Sequence, residues 1–217
     1  MRYRAVIFDL DGTLVDSMSD LAASGNELLA GYKKAPRPVE EYRYLVGNGS
    51  RKLVERLLPG AKEAEIDEAL GKYKEIYARR LLRQTKPYPG IPALLEALAA
   101  RHIPMAVCTN KHTSAAAEVL THLFAPGTFD AYVGDRPGVP RKPDPANVRY
   151  LLEKLRVLPE ETAYLGDTSV DMETAVNAGA LPIGVLWGFR EKAELVANGA
   201  RVLLEHPGEL LAKVEFV

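Results

Sequence analysis

The sequence predicts an α/β fold: a doubly wound parallel sheet with a small all-helical domain inserted after its first strand. Three observations predict it. Short apolar runs rich in β-branched residues recur, apolar on successive residues rather than alternating, as strands buried on both faces of a parallel sheet require. From residue 90 onward, helix-like segments separate these runs, and strand–helix alternation marks a doubly wound sheet. Residues 17–86 break that alternation with helical periodicity alone.

Taken in order, strands are expected at 4–8, 104–108, 129–133, 162–165, 182–186 and 201–204. Helices are expected between and after them at 91–101, 112–122, 145–156, 170–178 and 207–213. Inside the insert, a capped amphipathic run begins near Asp16, a second lies around 38–47, a third covers 49–58 and a long one covers 61–84. In the last, Ile66, Leu70, Tyr73, Tyr77 and Leu81 step by four, three, four and four residues, one apolar helical stripe that reads as the insert's own core. Proline pairs fence the region, at Pro36/Pro38 and Pro87/Pro89. The expected division is an α/β unit of 1–16 and 87–217, and a helical domain of 17–86.

Composition narrows the function classes. The chain has 217 residues, 47% hydrophobic and 26% charged, which excludes wholesale disorder. A net charge of −1 offers no global cationic field, so neither nucleic acid nor an anionic membrane is an expected partner. The insert carries 14 Lys+Arg against 10 Asp+Glu, the remainder 14 against 19; the insert is basic and the rest acidic. No apolar run approaches the ~20 residues a membrane span needs, and Asp9 and Asp11 interrupt the N-terminal apolar stretch, unlike a signal peptide. One cysteine, Cys108, permits no intramolecular disulfide, and no Cys/His cluster has zinc spacing. A cytoplasmic monomer or homodimer acting on a small metabolite is the expectation.

Ligands on doubly wound sheets bind beyond the carboxyl ends of the strands. The first strand closes as Asp9-Leu10-Asp11-Gly12-Thr13. Asp-Gly between apolar runs signals a hairpin, which is expected here, but a hairpin leaves Asp9 unexplained at the exit of an apolar strand. Residues two apart in extended chain point the same way, so Asp9 and Asp11 can converge. The second strand ends in Thr109 and Asn110; a threonine there also suits a helix cap. Lys142 sits in Arg141-Lys142-Pro143-Asp144-Pro145 ahead of a helix, where an exposed lysine is ordinary. The fourth strand runs into Gly166-Asp167-Thr168-Ser169-Val170-Asp171, where Asp167 suits a cap and Asp171 a first-turn acid. Each has a purely structural reading, but together they crowd carboxylates, a hydroxyl and an ammonium on one rim. Crowded carboxylates repel unless a cation sits among them, and hard oxygen ligands in that number suit Mg²⁺. Phosphoryl transfer needs such a set.

The segments DLDGT with a following VDS, TN, RKPDP and GDTSVD, in that order, resemble the haloacid dehalogenase superfamily of phosphohydrolases, over essentially the whole chain. The resemblance implies that Asp9 is a nucleophile forming an aspartyl-phosphate. It implies that Asp11 protonates the leaving alcohol and then activates water, its backbone carbonyl touching the metal. Thr109 and the Asn110 amide would hold the phosphate, Lys142 would steady phosphate and nucleophile, and Asp167 and Asp171 would bind Mg²⁺ with Asp9. Members that remove halide lack an acid at the place of Asp11, so its presence implies phosphate esters.

The same resemblance makes 17–86 a helical cap closing over the leaving group. Within it, Gly47, Asn48 and Gly49 precede a helix start with Arg51 and Lys52 nearby, which offers N–H groups and positive charge to a substrate anion; an ordinary loop-to-helix turn with two solvated cations fits equally. That run, Thr109-Asn110-Lys111 and residues 185–189 are similar to phosphoglycolate phosphatases, implying a small phosphorylated metabolite with a second anionic group. Thr168 stands where many members have serine. A sugar-phosphate mutase, a pyrophosphatase, a broader sugar or nucleotide phosphatase and, outside enzymes, a receiver-like phospho-acceptor module stay open. Cys108 and the Tyr73/Tyr77 stripe read as packing, His112 as a surface helix residue, and Trp187 and Phe189 as packing or cleft lining.

Overall fold

The computed structural model describes residues 2–217. In chain order the elements are β1 (Ala5–Phe8), β2 (Val15–Asp16), α1 (Met18–Gly31), α2 (Val39–Leu45), α3 (Ser50–Leu57), α4 (Glu63–Ala78), β3 (Lys86–Pro87), α5 (Ile91–Ala100), β4 (Met105–His112), α6 (Thr113–Leu123), β5 (Ala131–Asp135), α7 (Ala146–Leu155), β6 (Thr162–Gly166), α8 (Ser169–Ala178), β7 (Leu181–Val185), α9 (Lys192–Ala197), β8 (Val202–Leu204) and α10 (Leu210–Lys213). Six strands form one parallel sheet in the order β5-β4-β1-β6-β7-β8. The fold is the expected doubly wound α/β sheet. From β1 the chain reaches β4 and β5 on one side, then crosses to β6, β7 and β8 on the other. The strand order therefore reverses beside β1, which puts the crevice for a ligand at the carboxyl ends of β4, β1 and β6.

Burial explains the strand sequences. Every residue of β1 is buried; Val6 and Phe8 enter one apolar cluster with Leu94 and Leu98, while Ile7 enters the opposite one with Tyr164 and Val148. A strand covered on both faces must be apolar at every position. The β1–β6 register pairs Phe8 with Leu165, and the Asp9 amide continues the ladder by donating to the Leu165 carbonyl at 2.9 Å. Asp9 is thus the first residue past the apolar core, held by the backbone pairing.

Some elements depart from expectation. The Asp-Gly turn does not open a hairpin back onto β1. Gly12 adopts φ +88 and donates to the Val15 carbonyl, and β2 then pairs antiparallel with β3 at the far end of the helical insert. The two connections into and out of the insert are thereby zipped together. β4 extends four residues past Cys108 through an irregular register, carrying Thr109, Asn110 and Lys111 beyond the sheet body. His112 ends that strand and caps α6, its Nδ1 accepting from the Ser114 amide, instead of lying in the helix. The long helix of the insert ends at Ala78, short of 84; the chain then turns, with Leu81 still buried, so that it can reach β3. The short α9 has no counterpart among the expected helices, because Leu195 is its only buried residue and one apolar position sets no period.

α1 packs on α4 and α2, and α3 packs on α4. This helical layer lies over the strand ends. Arg43 Nε and Nη2 donate to the Phe189 and Gly188 carbonyls at 3.1 and 2.9 Å, and Arg190 Nη2 donates back to Val46 at 3.0 Å. No helix among the described residues is long and apolar enough to cross a membrane.

Candidate active site

Asp9 leaves the end of β1 with its side chain 10% exposed, and its Oδ1 accepts from Lys142 Nζ at 2.8 Å. Burial pushes the Asp9 carboxyl up to about 7, helped by repulsion from Asp171 and opposed by Lys142. Lys142 reaches in from the segment before α7. Its ammonium also donates to Asp171 Oδ1 at 2.7 Å, the Cys108 carbonyl at 3.0 Å and the Tyr164 hydroxyl at 3.2 Å. Burial alone would lower its pKa, but Asp171 and Asp9 outweigh that and hold it well above the ordinary lysine range.

Asp167 follows β6 and is fully buried, accepting from Thr13 Oγ1 at 3.2 Å and from the Phe189 amide at 2.8 Å. Burial and repulsion from Asp171 and Asp9 raise its carboxyl well above the ordinary range. Backbone without side chains makes room for it: a Cβ on Gly12 or Gly188 would come within 2.2 Å of Asp167 atoms. Asp171 sits in the first turn of α8, its Oδ2 accepting from the Thr168 amide and hydroxyl at 3.1 and 2.6 Å, a capping box that fixes the side chain.

Asp9, Asp167 and Asp171 each offer an oxygen within 4.8 Å of the others. Three buried carboxylates this close suit a hard cation with oxygen ligands. Charge leads to the same conclusion. When all four are ionised, Asp9, Asp11, Asp167 and Asp171 exceed the ammonium groups of Lys142 and Lys111 by two negative charges.

Asp11 lies at the mouth of this cluster, accepting from Ser17 Oγ at 2.6 Å and paired with Lys111 Nζ at 2.8 Å. Thr109 Oγ1 is buried and accepts from the Lys111 amide at 3.1 Å. The Asn110 side chain positions its neighbours: Oδ1 accepts from the Lys142 amide at 3.0 Å, and Nδ2 donates to Gly47 at 3.2 Å and Lys142 at 3.3 Å. One pocket is lined by Asp9, Asp11, Thr109, Asn110 and Lys142 from the sheet and by Gly47 and Gly49 from the insert.

Two residues expected at the substrate are placed elsewhere. Arg51 is tied on the surface of α3 to Asp67, Glu63 and Glu55, and does not line the pocket. Asn48 accepts from Arg56 Nη2 at 2.8 Å and is also absent from the lining. Conversely, Tyr73 and Tyr77, read as packing alone, line the pocket with Lys111 and Phe189. Extended chain puts Thr109 and Lys111 on one side, the signal that would have singled out Lys111. Cys108 is buried in β4 as expected, and Trp187 Nε1 donates to the Thr13 carbonyl at 3.0 Å, bracing the turn after Asp11.

Comparison with known proteins agrees with this geometry. Residues 6–185 match the family model described as haloacid dehalogenase-like hydrolase. A phosphoglycolate phosphatase of Pseudomonas putida is 32% identical over 214 residues, covering 93% of this chain and 78% of its own. A phosphoglycolate phosphatase of Neisseria meningitidis is 35% identical over 202 residues, covering 91% and 86%. A crystal structure from Lactobacillus delbrueckii subsp. bulgaricus superposes with a TM-score of 0.93 at 29% identity, covering 99% of both chains. Fold, strand-end carboxylates and relatives together define an enzyme of the phosphatase class. The chain belongs to the haloacid dehalogenase-like hydrolase family.

Proposed function

We propose that this protein is a Mg²⁺-dependent phosphomonoester hydrolase working through an aspartyl-phosphate on Asp9, with a small anionic ester of the 2-phosphoglycolate kind as substrate. The observation that carries the reading is the 2.8 Å contact of Asp9 with a buried lysine, inside a cluster of carboxylates at the switch point of the sheet. The relatives' names support that substrate class.

The chemistry is a double displacement. An Asp9 oxygen attacks phosphorus, the ester P–O bond breaks, and a proton on Asp11 passes to the departing alcohol oxygen. Water then attacks the same phosphorus, Asp11 takes its proton, and the bond to Asp9 breaks to release phosphate. Lys142 holds Asp9 in line and faces the phosphoryl oxygens, while Thr109 supplies a hydroxyl beside them. Asp9, Asp167 and Asp171 would hold Mg²⁺, which when bound neutralises the carboxylates and the phosphate. Closure of the helical layer over bound substrate would exclude water from the first step.

A phosphate-release screen over 2-phosphoglycolate, sugar phosphates, nucleotides and pyrophosphate, with Mg²⁺, tests the reading. Fast release from 2-phosphoglycolate, lost in Asp9→Asn, supports it. Release that survives Asp9→Asn, or preference for a nucleotide or hexose ester, contradicts it.

A further inference from the structure

We propose that Lys111, Tyr77 and Tyr73 form a receptor for a carboxylate on the leaving group, and so select the substrate. This rests on the phosphatase reading above and adds the residues that choose among phosphate esters.

Lys111 is buried, its side chain 5% exposed, at the extended end of β4. Its ammonium donates to Asp11 at 2.9 Å on one side and to the Tyr77 hydroxyl at 2.5 Å on the other, and stands 4.7 Å from the Tyr77 ring centre. Tyr77 and Tyr73 lie one helical turn apart on α4 with rings stacked, 5.9 Å between centres at 12°. Tyr73 lines the same pocket, and its buried hydroxyl has no hydrogen-bond partner among the described residues. The Tyr77 hydroxyl accepts from Lys111, and its own proton meets no acceptor there.

Lys111, Tyr77 and Tyr73 thus line one pocket, and neither phenolic proton has an acceptor among the described residues. A buried hydroxyl without a partner carries its full desolvation cost, tolerable where an occupant supplies the acceptor. A set composed of donors calls for a ligand composed of acceptors, and an ionised carboxylate is the smallest organic group that fits. Position separates this group from the phosphate. Lys142 serves Asp9, whereas Lys111 and the tyrosines stand beyond Asp11, the residue that would face the departing alcohol. Whatever binds the trio is therefore attached to the leaving oxygen.

The test compares kcat/KM for 2-phosphoglycolate with that for ethyl phosphate, which lacks the carboxylate, both with Mg²⁺. Wild type should prefer the carboxylate ester by at least about a hundredfold. Tyr73→Phe removes one oxygen that has no protein partner, so the variant should fold and melt no lower than wild type. Its preference should fall about tenfold, through KM more than kcat. Lys111→Met should cut the preference further. A preference that stays within twofold of wild type in both variants overturns the proposal. Wild type that hydrolyses both esters equally well overturns it while leaving the phosphatase reading standing. Wild type that hydrolyses neither overturns both.

Discussion

Lys142 Nζ lies 2.8 Å from Asp9 Oδ1 and 2.7 Å from Asp171 Oδ1, so one buried ammonium ties the end of β1 to the first turn of α8. It joins the proposed nucleophile to a proposed metal ligand from the other half of the sheet.

Removing that ammonium leaves buried carboxylates facing each other. Lys142→Met should destabilise the metal-free protein by roughly 3–5 kcal/mol, measured by urea denaturation. Turnover should be lost as well. Stability within 1 kcal/mol of wild type, on the order of a surface substitution, would show that the contact does not hold the site together.

Metal affinity should depend on pH with a definite sign. Asp9 is raised to about 7 by burial and repulsion, and Asp167 is raised by the same causes. A cation binds the ionised carboxylates and must displace their protons. Titration calorimetry should find Mg²⁺ binding more tightly from pH 6 to pH 8, with proton release that shrinks as pH rises. Affinity that is flat or falls over that range contradicts the cluster as the binding site.

Asp20 gives a prediction about the insert's attachment. Its fully buried carboxylate accepts from the Gln84 and Thr85 amides at 2.9 and 2.8 Å and from Thr85 Oγ1 at 2.7 Å, pinning the returning chain just before β3. Asp20→Asn turns one acceptor of several donors into an amide and should cost about 1–3 kcal/mol, read from thermal melts. An unchanged melting temperature would mean that the β2–β3 pairing alone holds the connection.

Much of this site is legible in the sequence because its residues sit where apolar strands stop. Asp9, Thr109 and Asp167 each follow a run that must be buried on both faces, and a polar residue there has to face the crevice. Lys142 and Asp171 are legible only in company with them, since their local settings suit an exposed lysine and a helix-turn acid. What the sequence hid were the groups whose partners are remote. Arg51 stands beside a glycine turn in the chain, but Glu63 and Asp67 draw it to the surface of α3. Tyr73 and Tyr77 share an apolar stripe with Ile66, and periodicity cannot tell that their hydroxyl ends meet Lys111 from β4. The Asp-Gly turn carries a hairpin signal, yet its strand finds β3 about 70 residues on, because the insert must close on itself.

In the proposed cycle Asp9 carries the phosphoryl group between substrate and water. Acid quench within a single turnover of 2-phosphoglycolate and Mg²⁺, followed by peptide mass spectrometry, tests it most directly. A transient phosphoryl group should appear on the Asp9 side chain before free phosphate and be absent in Asp9→Asn. Free phosphate released in the first turnover with no phosphorylated Asp9, or with the group on another residue, would contradict it.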